Sequence, residues 1–248
     1  MFIKALKHKI RKIQASLYHK NCCYEFEENW FKGKRVAVIG GADSAIQEEN
    51  GKFIDNFDCV VRINKGVEVI DSQKKFVGGR TDFLFHAFLE NANDIGSSPM
   101  TPELWTNHKV KRIVYSFNHQ LIKSGVYDLL VFKRGTKNKL EFTELSKELH
   151  IKNEEALHPF RPTTGFIAIN TIFNCQPKEL FITGITFFKT PHNKSYRKGD
   201  LKEFTSLFTK KHGAHNPDEE YKFIKQLYLD NQSIIKPDRA LREIFETN

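Results

Sequence analysis

The sequence has little of what marks several common classes of protein. It contains four cysteines, none in a Cys-x-x-Cys pair, and adjacent Cys22 and Cys23 cannot be two ligands of an ordinary zinc site. Cys59 and Cys175 stand alone, so we expect neither a structural metal nor a disulfide framework. No apolar run has the length of a membrane-spanning helix, and no signal-peptide pattern is visible. We therefore expect a cytoplasmic protein that is soluble or peripheral on a membrane.

Two nucleotide-binding signatures are also missing. The Gly40-Gly41 turn lacks the third glycine of a Gly-x-Gly-x-x-Gly fingerprint, and the second predicted strand ends in Asn64 instead of an acidic residue. This gives an NAD site weak support, although the turn still suits some nucleotide phosphate or sugar. The sequence also has no Asp-x-Asp pair that would suggest a divalent metal ion.

The charge is strongly of one sign. A formal charge of +9 and a pI near 9.2 favour anionic partners: nucleic acid, an anionic membrane surface or a phosphorylated substrate. The basic residues are spread along the chain and no aromatic–basic recognition motif is present, so we do not expect nucleic acid as the partner.

Residues 1–30 differ from the remainder, residues 31–248, which we expect to form the α/β domain. Here apolar residues recur at spacings of three and four: Phe2, Ile3, Leu6, Ile10, Ile13 and Leu17. Basic residues lie between them: Lys4, Lys7, Lys9, Arg11 and Lys12. The pattern is typical of a basic amphipathic helix, which either contacts a membrane surface or docks on its own domain.

The rest of the chain alternates strand and helix patterns. We predict strands at 35–40, 58–64, 82–86, 112–117, 180–183 and 233–235, and a strand is compatible with 129–132. We predict helices from 43 or 44 to about 55, over 139–150, 166–173 and 202–211, from 217 onward and over 238–246. The expected fold is α/β, a single Rossmann-like domain with a mostly parallel sheet flanked by helices and a site at the strand carboxyl ends.

Two helix starts stand out. Thr163 or Thr164 can cap the helix that follows the Pro-Thr-Thr-Gly turn, and such a helix end suits a phosphate or carboxylate. The second helix start is marked by Asn216 as the cap, Pro217 at the first helical position and Glu219 three residues after the cap. The Pro-Thr-Thr-Gly turn is equally consistent with an ordinary helix–strand unit of an α/β domain.

Three residues are candidates for chemistry. His215 precedes a helix start, where the dipole favours a neutral imidazole able to accept a proton. His192 and Tyr196 lie in a loop after a strand, where both can donate to a phosphate. A surface histidine and a solvated basic loop are the alternative interpretations.

In order along the chain, these motifs resemble those of CMP-sugar-dependent sialyltransferases, glycosyltransferase families 29 and 42, and of related bacterial Kdo transferases. The resemblance covers about residues 36–244. The first motif corresponds to Gly40, Gly41 and Ser44, continues through Arg62 and Asn64, and is followed by Arg80. The second corresponds to Thr163, Thr164 and Gly165, the third to His215 and Glu220, and the loop between them to Phe188 and Tyr196. Two departures are Gly41, where an asparagine is usual, and Phe188, where a tyrosine is usual.

The resemblance implies a sialyltransferase-type fold, a GT-A-like variant, and an inverting transfer that needs neither cofactor nor metal. It implies His215 as general base, with Tyr196 and His192 on the departing phosphate. It places the donor on Gly40, Gly41, Ser44, Asn64, Thr163, Thr164, Gly165 and Phe188, with Arg62, Arg80 and Glu220 in support. The implied donor is CMP-sialic acid, with CMP-Kdo as the alternative, and an inactive CMP-binding relative is a further alternative.

The implied acceptor is an oligosaccharide or glycolipid, such as lipooligosaccharide or capsule. The lysine-, phenylalanine- and asparagine-rich composition and the basic start of the chain suit a bacterial enzyme at the inner membrane.

Overall fold

A computed structural model describes residues 2–88, 99–116, 125–136, 140–196 and 215–247. Within these ranges the strands form one sheet of eight, in the order β1-β6-β5-β4-β3-β2-β7-β8, and every pair is parallel. The strands are β1 Cys23–Glu25, β2 Arg35–Ile39, β3 Cys59–Ile63, β4 Phe83–His86, β5 Arg112–Tyr115, β6 Glu141–Glu144, β7 Glu179–Thr183 and β8 Ile235–Pro237. The predicted single α/β domain with a mostly parallel sheet is confirmed.

Helices flank the sheet and connect its strands. In the described residues they are α1 Phe2–Cys22, α2 Gly51–Asp55, α3 Ile70–Val77, α4 Pro102–Asn107, α5 Gly125–Thr136, α6 Lys147–Glu155, α7 Thr164–Asn174, α8 Pro217–Asp230 and α9 Arg239–Glu246. None of the helices in this part of the chain is long and apolar enough to cross a membrane. The helix predicted at 202–211 lies outside the described residues.

The central strands are buried on both faces. Val36 and Val38 of β2 pack in a cluster with residues of α7, α8 and α9, whereas Ala37 and Ile39 pack in another with α2 and α3. A strand covered on both sides needs a continuous apolar run, which is why the sequence predicts β2 to β5 and β7 so directly.

Three predictions of local structure are wrong. Residues 125–136 are helical, with Phe132 fully buried beside α1, so tertiary packing decides what the short apolar run 129–132 left ambiguous. Of the helix predicted over 139–150, residue 139 lies outside the described residues, and the remainder contains β6 and the start of α6, because Phe142 pairs with β1 and β5 inside the sheet. The helix predicted from 43 or 44 to 55 is a 3₁₀ turn at Asp43–Ile46 followed by α2.

The basic helix predicted near the amino terminus is present as α1. It docks through Ala15 and Tyr18, both buried in a cluster that includes Trp105 and Phe132. The sequence did not predict β1, which is only three residues long and is held by pairing with β6.

The order of the strands reverses between β2 and β7. From β2 the chain adds β3 to β6 on one side of the sheet, and it returns on the other side with β7 and β8. In such sheets a crevice opens at the carboxyl ends of the two strands that flank the reversal, and ligands bind there. This crevice is the place where a site is expected.

Candidate active site

Two glycines bring the ends of β2 and β7 together. A Cβ on Gly40 would collide with the Gly184 carbonyl and the Ile185 side chain, and a Cβ on Gly184 would lie 2.8 Å from Ala45 Cβ. Gly184 has a φ of +69°, and Asp238 holds it by accepting from its N–H at 3.3 Å. The backbones can therefore approach closely only because both residues are glycine.

Gly41 lies against the ring of Tyr196. A Cβ on Gly41 would collide with that ring, whose hydroxyl donates to the Ile63 carbonyl at 3.0 Å. Tyr196 is buried, and its ring is stacked with the His192 ring at 6.1 Å. The glycine in place of the usual asparagine thus has a steric reason: in this conformation the space for a side chain at position 41 is filled by Tyr196.

We expect Gly41→Ala to destabilise the protein by about 1–3 kcal/mol, since overpacking forces the buried ring to move. In the Tyr196→Ala background the same change should cost well under 1 kcal/mol, because the obstructing ring is gone. Denaturant unfolding of the four proteins in this double-mutant cycle measures the coupling. Equal costs in both backgrounds would show that the ring does not restrict position 41.

The loop that carries His192 and Tyr196 is held by hydrogen bonds to the turn after β2 and to α3. Asn193 N–H donates to the Gly41 carbonyl at 2.9 Å, and Asn193 forms a reciprocal side-chain amide pair with Gln73 of α3, at 2.5 and 3.0 Å. Both amides are buried, so the pair holds the loop against the domain. Sequence reasoning missed Gln73 and Asn193, which lie 120 positions apart and match no motif.

The head of α7 is built by Thr163 and a buried carboxylate from α8. Thr163 is the helix cap, and its hydroxyl accepts from Phe166 N–H at 3.3 Å. Its own N–H and hydroxyl donate to the two oxygens of Glu220, at 2.7 and 2.8 Å. Burial raises the pKa of the Glu220 carboxyl to about 8, although the two bonds from Thr163 oppose the rise. The contact between Thr163 and Glu220 thus joins the second predicted motif, at the head of α7, to the third, at the start of α8.

These contacts decide which groups at this helix end can bind a ligand. The first N–H groups of a helix have no partner within it, and Thr163 satisfies the one on Phe166. The N–H groups of Thr164 and Gly165 are left at the positive end of α7, where an anion is stabilised. A direct donor contact for the Thr163 side chain stays a prediction, since its hydroxyl is engaged in capping.

His215 lies at the same place, immediately before the start of α8. Its Nδ1 is 2.7 Å from the Arg161 carbonyl. Because a carbonyl only accepts, Nδ1 carries the proton and Nε2 of the neutral ring carries the lone pair. Burial lowers the pKa of the imidazole, while the bond to Arg161 opposes the shift. The arrangement presents an unprotonated nitrogen, which a general base needs.

The predicted start of α8 is confirmed. Asn216 is the cap and accepts from Asp218 and Glu219 N–H at 3.2 and 3.3 Å, with Pro217 in the first turn. This cap fixes where α8 begins and therefore where His215 lies.

One side chain connects the crevice to the head of α7. Ile185 lies against Gly40 on one side, and on the other its Cγ2 is 3.6 Å from the position of a Cβ on Gly165. Ile185, which follows the end of β7, therefore bridges the end of β2 and the first turn of α7. His215 and Glu220 adjoin it through Arg161 and Thr163.

Three further predicted donor residues lie at the same edge of the sheet. Ser44 is buried, and its hydroxyl has no hydrogen-bond partner in the described part of the chain. Asn64, at a φ of +47°, accepts from Ala87 N–H at 3.0 Å and so links the ends of β3 and β4. Phe188 has a φ of +58° and lies 5.6 Å from the His192 ring, so a strained backbone position borders the crevice.

Arg62 and Arg80, predicted in support, hold the framework together. The buried Arg62 guanidinium donates to the Val77 carbonyl at 2.7 Å and to Thr81 at 2.9 Å. Arg80 pairs with Asp82 at 2.7 Å, ahead of β4 at the amino edge of the sheet. The contacts of Arg62 and Arg80 fix the connection from α3 to β4. Replacing either arginine would therefore affect donor binding only by disturbing the fold.

Over the described ranges, no group of three or more histidine, cysteine, aspartate or glutamate side chains is placed to hold a metal ion. Metal-independent chemistry stays a prediction.

Solved structures show where this arrangement of strands and helices occurs. A monofunctional α-2,3-sialyltransferase from Campylobacter jejuni is 16% identical, with a TM-score of 0.53 over 90% of this chain and 82% of that one. A mammalian sialyltransferase, solved in complex with Gal-beta-1-3GalNAc-ortho-nitrophenol, is 17% identical, with a TM-score of 0.51 over 85% and 71%. An α-2,3-sialyltransferase from Campylobacter jejuni in apo form is 15% identical, with a TM-score of 0.51 over 89% and 81%. The fold is that of the sialyltransferases.

The resemblance predicted from the motifs is confirmed at the level of this sialyltransferase fold. No protein-family model matches the chain, and no curated protein matches it in sequence. At these identities the likeness shows the fold alone, and the activity has to be argued from the residues in the crevice.

Proposed function

We propose that this protein is an inverting, metal-independent glycosyltransferase that moves sialic acid from CMP-sialic acid to a hydroxyl of a glycan acceptor. The observation that carries the proposal is the position of His215. Its Nδ1 is bound to the Arg161 carbonyl, so Nε2 of the neutral ring carries no proton, and the residue adjoins the head of α7, where we place an anionic group of the donor. A base beside an anion site at a nucleotide-type crevice suits a donor with a phosphate and a carboxylate.

We place the donor in the crevice as two parts. In the proposal the cytidine monophosphate lies along the Gly40–Ser44 turn and Asn64. The carboxylate of the sugar, or the phosphate, accepts from the N–H groups of Thr164 and Gly165, which support this placement because they lie at the positive end of α7. Phe188 adds an apolar contact at the rim.

The reaction needs one proton transfer. His215 Nε2 takes the proton of the acceptor hydroxyl while its oxygen forms a bond to the anomeric carbon of the donor. The bond from that carbon to the phosphate oxygen breaks, and CMP leaves with the electron pair. Attack from the face opposite the leaving group inverts the configuration.

Tyr196 and His192 are proposed to stabilise the phosphate as it departs, since donors aimed at developing charge lower the barrier. The Tyr196 hydroxyl bonds to the Ile63 carbonyl in this structure. Its contact with a phosphate therefore requires exchange of that bond when the donor binds.

The proposed acceptor is a cell-surface glycan, lipooligosaccharide or capsule, and the proposed location is the cytoplasm, peripheral on the inner membrane. The mammalian neighbour is a complex with a disaccharide derivative, which supports a glycan acceptor for this fold. A second candidate is a CMP-binding relative without activity, favoured by the Tyr196 ring that fills the space beside Gly41.

The experiment is a donor screen. Purified protein is incubated with CMP-Neu5Ac or CMP-Kdo and a lipooligosaccharide-type acceptor, with EDTA present, and released CMP is measured. The proposal predicts turnover of CMP-Neu5Ac that EDTA does not reduce. Turnover of CMP-Kdo alone would assign the alternative donor, and CMP binding without turnover of either would identify an inactive relative.

A further inference from the structure

Helix α1 turns four large aliphatic side chains away from the protein. Leu6, Ile10, Ile13 and Leu17 are each between 46 and 56% exposed, and they account for half of the large exposed apolar residues in the described chain. Their spacing of four, three and four places them within about 60° of one another on the helix. We call these four residues the α1 stripe.

The stripe is not the face by which α1 docks. The docked residues, Ala15 and Tyr18, are about 140° away around the helix. The Lys133 ammonium of α5 lies 5.1 Å from the centre of the Tyr18 ring, a cation–π contact on the docked face. The domain thus holds α1 by one face and leaves the opposite face to the outside.

The charge around the stripe is of one sign. The 21 residues of α1 contain six basic and no acidic residues, so the helix supplies six of the nine net positive charges of the chain. Lys7 and Lys9 are exposed and flank the stripe on its two sides. An apolar stripe between lysines is complementary to a surface with an apolar interior and anionic headgroups.

We propose that the α1 stripe is a docking surface for an anionic lipid bilayer. The helix lies in the plane of the interface, the four aliphatic side chains enter the boundary between headgroups and acyl chains, and Lys7 and Lys9 contact anionic headgroups. A protein partner or a second copy would need an acidic rim to match the lysines, whereas an anionic bilayer supplies it over its whole area. The proposal is independent of the transfer reaction.

The test is co-sedimentation of the full chain with vesicles of phosphatidylcholine or of equal parts phosphatidylcholine and phosphatidylglycerol. The variant Leu6→Gln/Ile10→Gln/Ile13→Gln/Leu17→Gln keeps good helix formers and removes only exposed side chains. A matched control, Ile151→Gln/Leu229→Gln, removes exposed apolar residues from α6 and α8. A second variant, Lys7→Glu/Lys9→Glu, reverses the flanking charge.

We expect the wild type and the control to bind anionic vesicles and to release them as salt increases. Both α1 variants should bind at least tenfold more weakly, with unchanged thermal unfolding. Equal binding of all four proteins, or equal binding to neutral vesicles, would overturn the proposal. So would a wild-type dimer that the stripe variant converts to a monomer without loss of vesicle binding, because a second copy would then cover the stripe.

Discussion

Replacing His215 by alanine is expected to lower the turnover number of the proposed sugar transfer by a factor of about 10²–10⁴, the usual contribution of a positioned general base. The dissociation constant for CMP should change less than threefold, since His215 contacts the backbone of Arg161 and not the proposed nucleotide position. The measurement is CMP release from the active donor, with CMP affinity determined separately by calorimetry.

The matched control is His108→Ala. His108 ends α4, ahead of the amino end of β5, and therefore lies on the opposite edge of the sheet from the crevice. Its replacement should leave transfer within twofold of the wild type. Unchanged turnover in His215→Ala would remove His215 from the role of base and favour an inactive or differently catalysed protein.

We expect His215 to determine the acid limb of the pH–rate profile. Burial lowers the pKa of His215 from its usual 6.5. A base works only when unprotonated, so kcat/KM should fall as the pH drops through a pKa below 6.5 and should be flat just above it. A limb centred well above 6.5 would indicate another titrating group.

The second large effect is expected at Glu220, in the pH dependence of the free energy of unfolding. Its pKa of about 8 in the folded protein lies above the usual 4.5, so the fold favours the protonated acid. The stability that this provides is fully present below pH 4.5 and is lost as the pH rises through 8. At about 1.4 kcal/mol per unit of pKa, the free energy of unfolding should fall by about 4 kcal/mol between pH 5 and pH 9.

Glu220→Gln should remove most of this pH dependence. The glutamine oxygen can accept from Thr163 N–H, and its amide can donate to the Thr163 hydroxyl, so both contacts persist without a charge. Denaturant unfolding at several pH values compares it with wild type and with Glu219→Gln, a change at the half-buried neighbouring carboxylate, which pairs with Lys222. If Glu220→Gln shows the same pH dependence as wild type, Glu220 is not held protonated.

The sequence predicts most of the sheet because its central strands are apolar runs bounded by turns. It predicts the helix starts at Thr163 and Asn216 because a side-chain cap is local chemistry. It fails for β1 and β6, which depend on neighbouring strands, and for α5, whose short apolar run suits a strand equally well.

For the site, the sequence yields single residues, and only the order of motifs suggests that they meet. The pairing of Glu220 with Thr163 spans 57 positions, and that of Asn193 with Gln73 spans 120. Such contacts are set by tertiary packing, which no local pattern encodes. The reason for Gly41 is of the same kind, because the Tyr196 ring comes from a distant loop.

The central claim is that the crevice between β2 and β7 binds a CMP-activated sugar, and a crystal structure of the protein with CMP tests it most directly. The account predicts the nucleotide along the Gly40–Ser44 turn and Asn64, with its phosphate within hydrogen-bond distance of His192 or Tyr196, or of the Thr164 or Gly165 N–H. CMP bound elsewhere, or no CMP in the crevice at millimolar concentration, would contradict it.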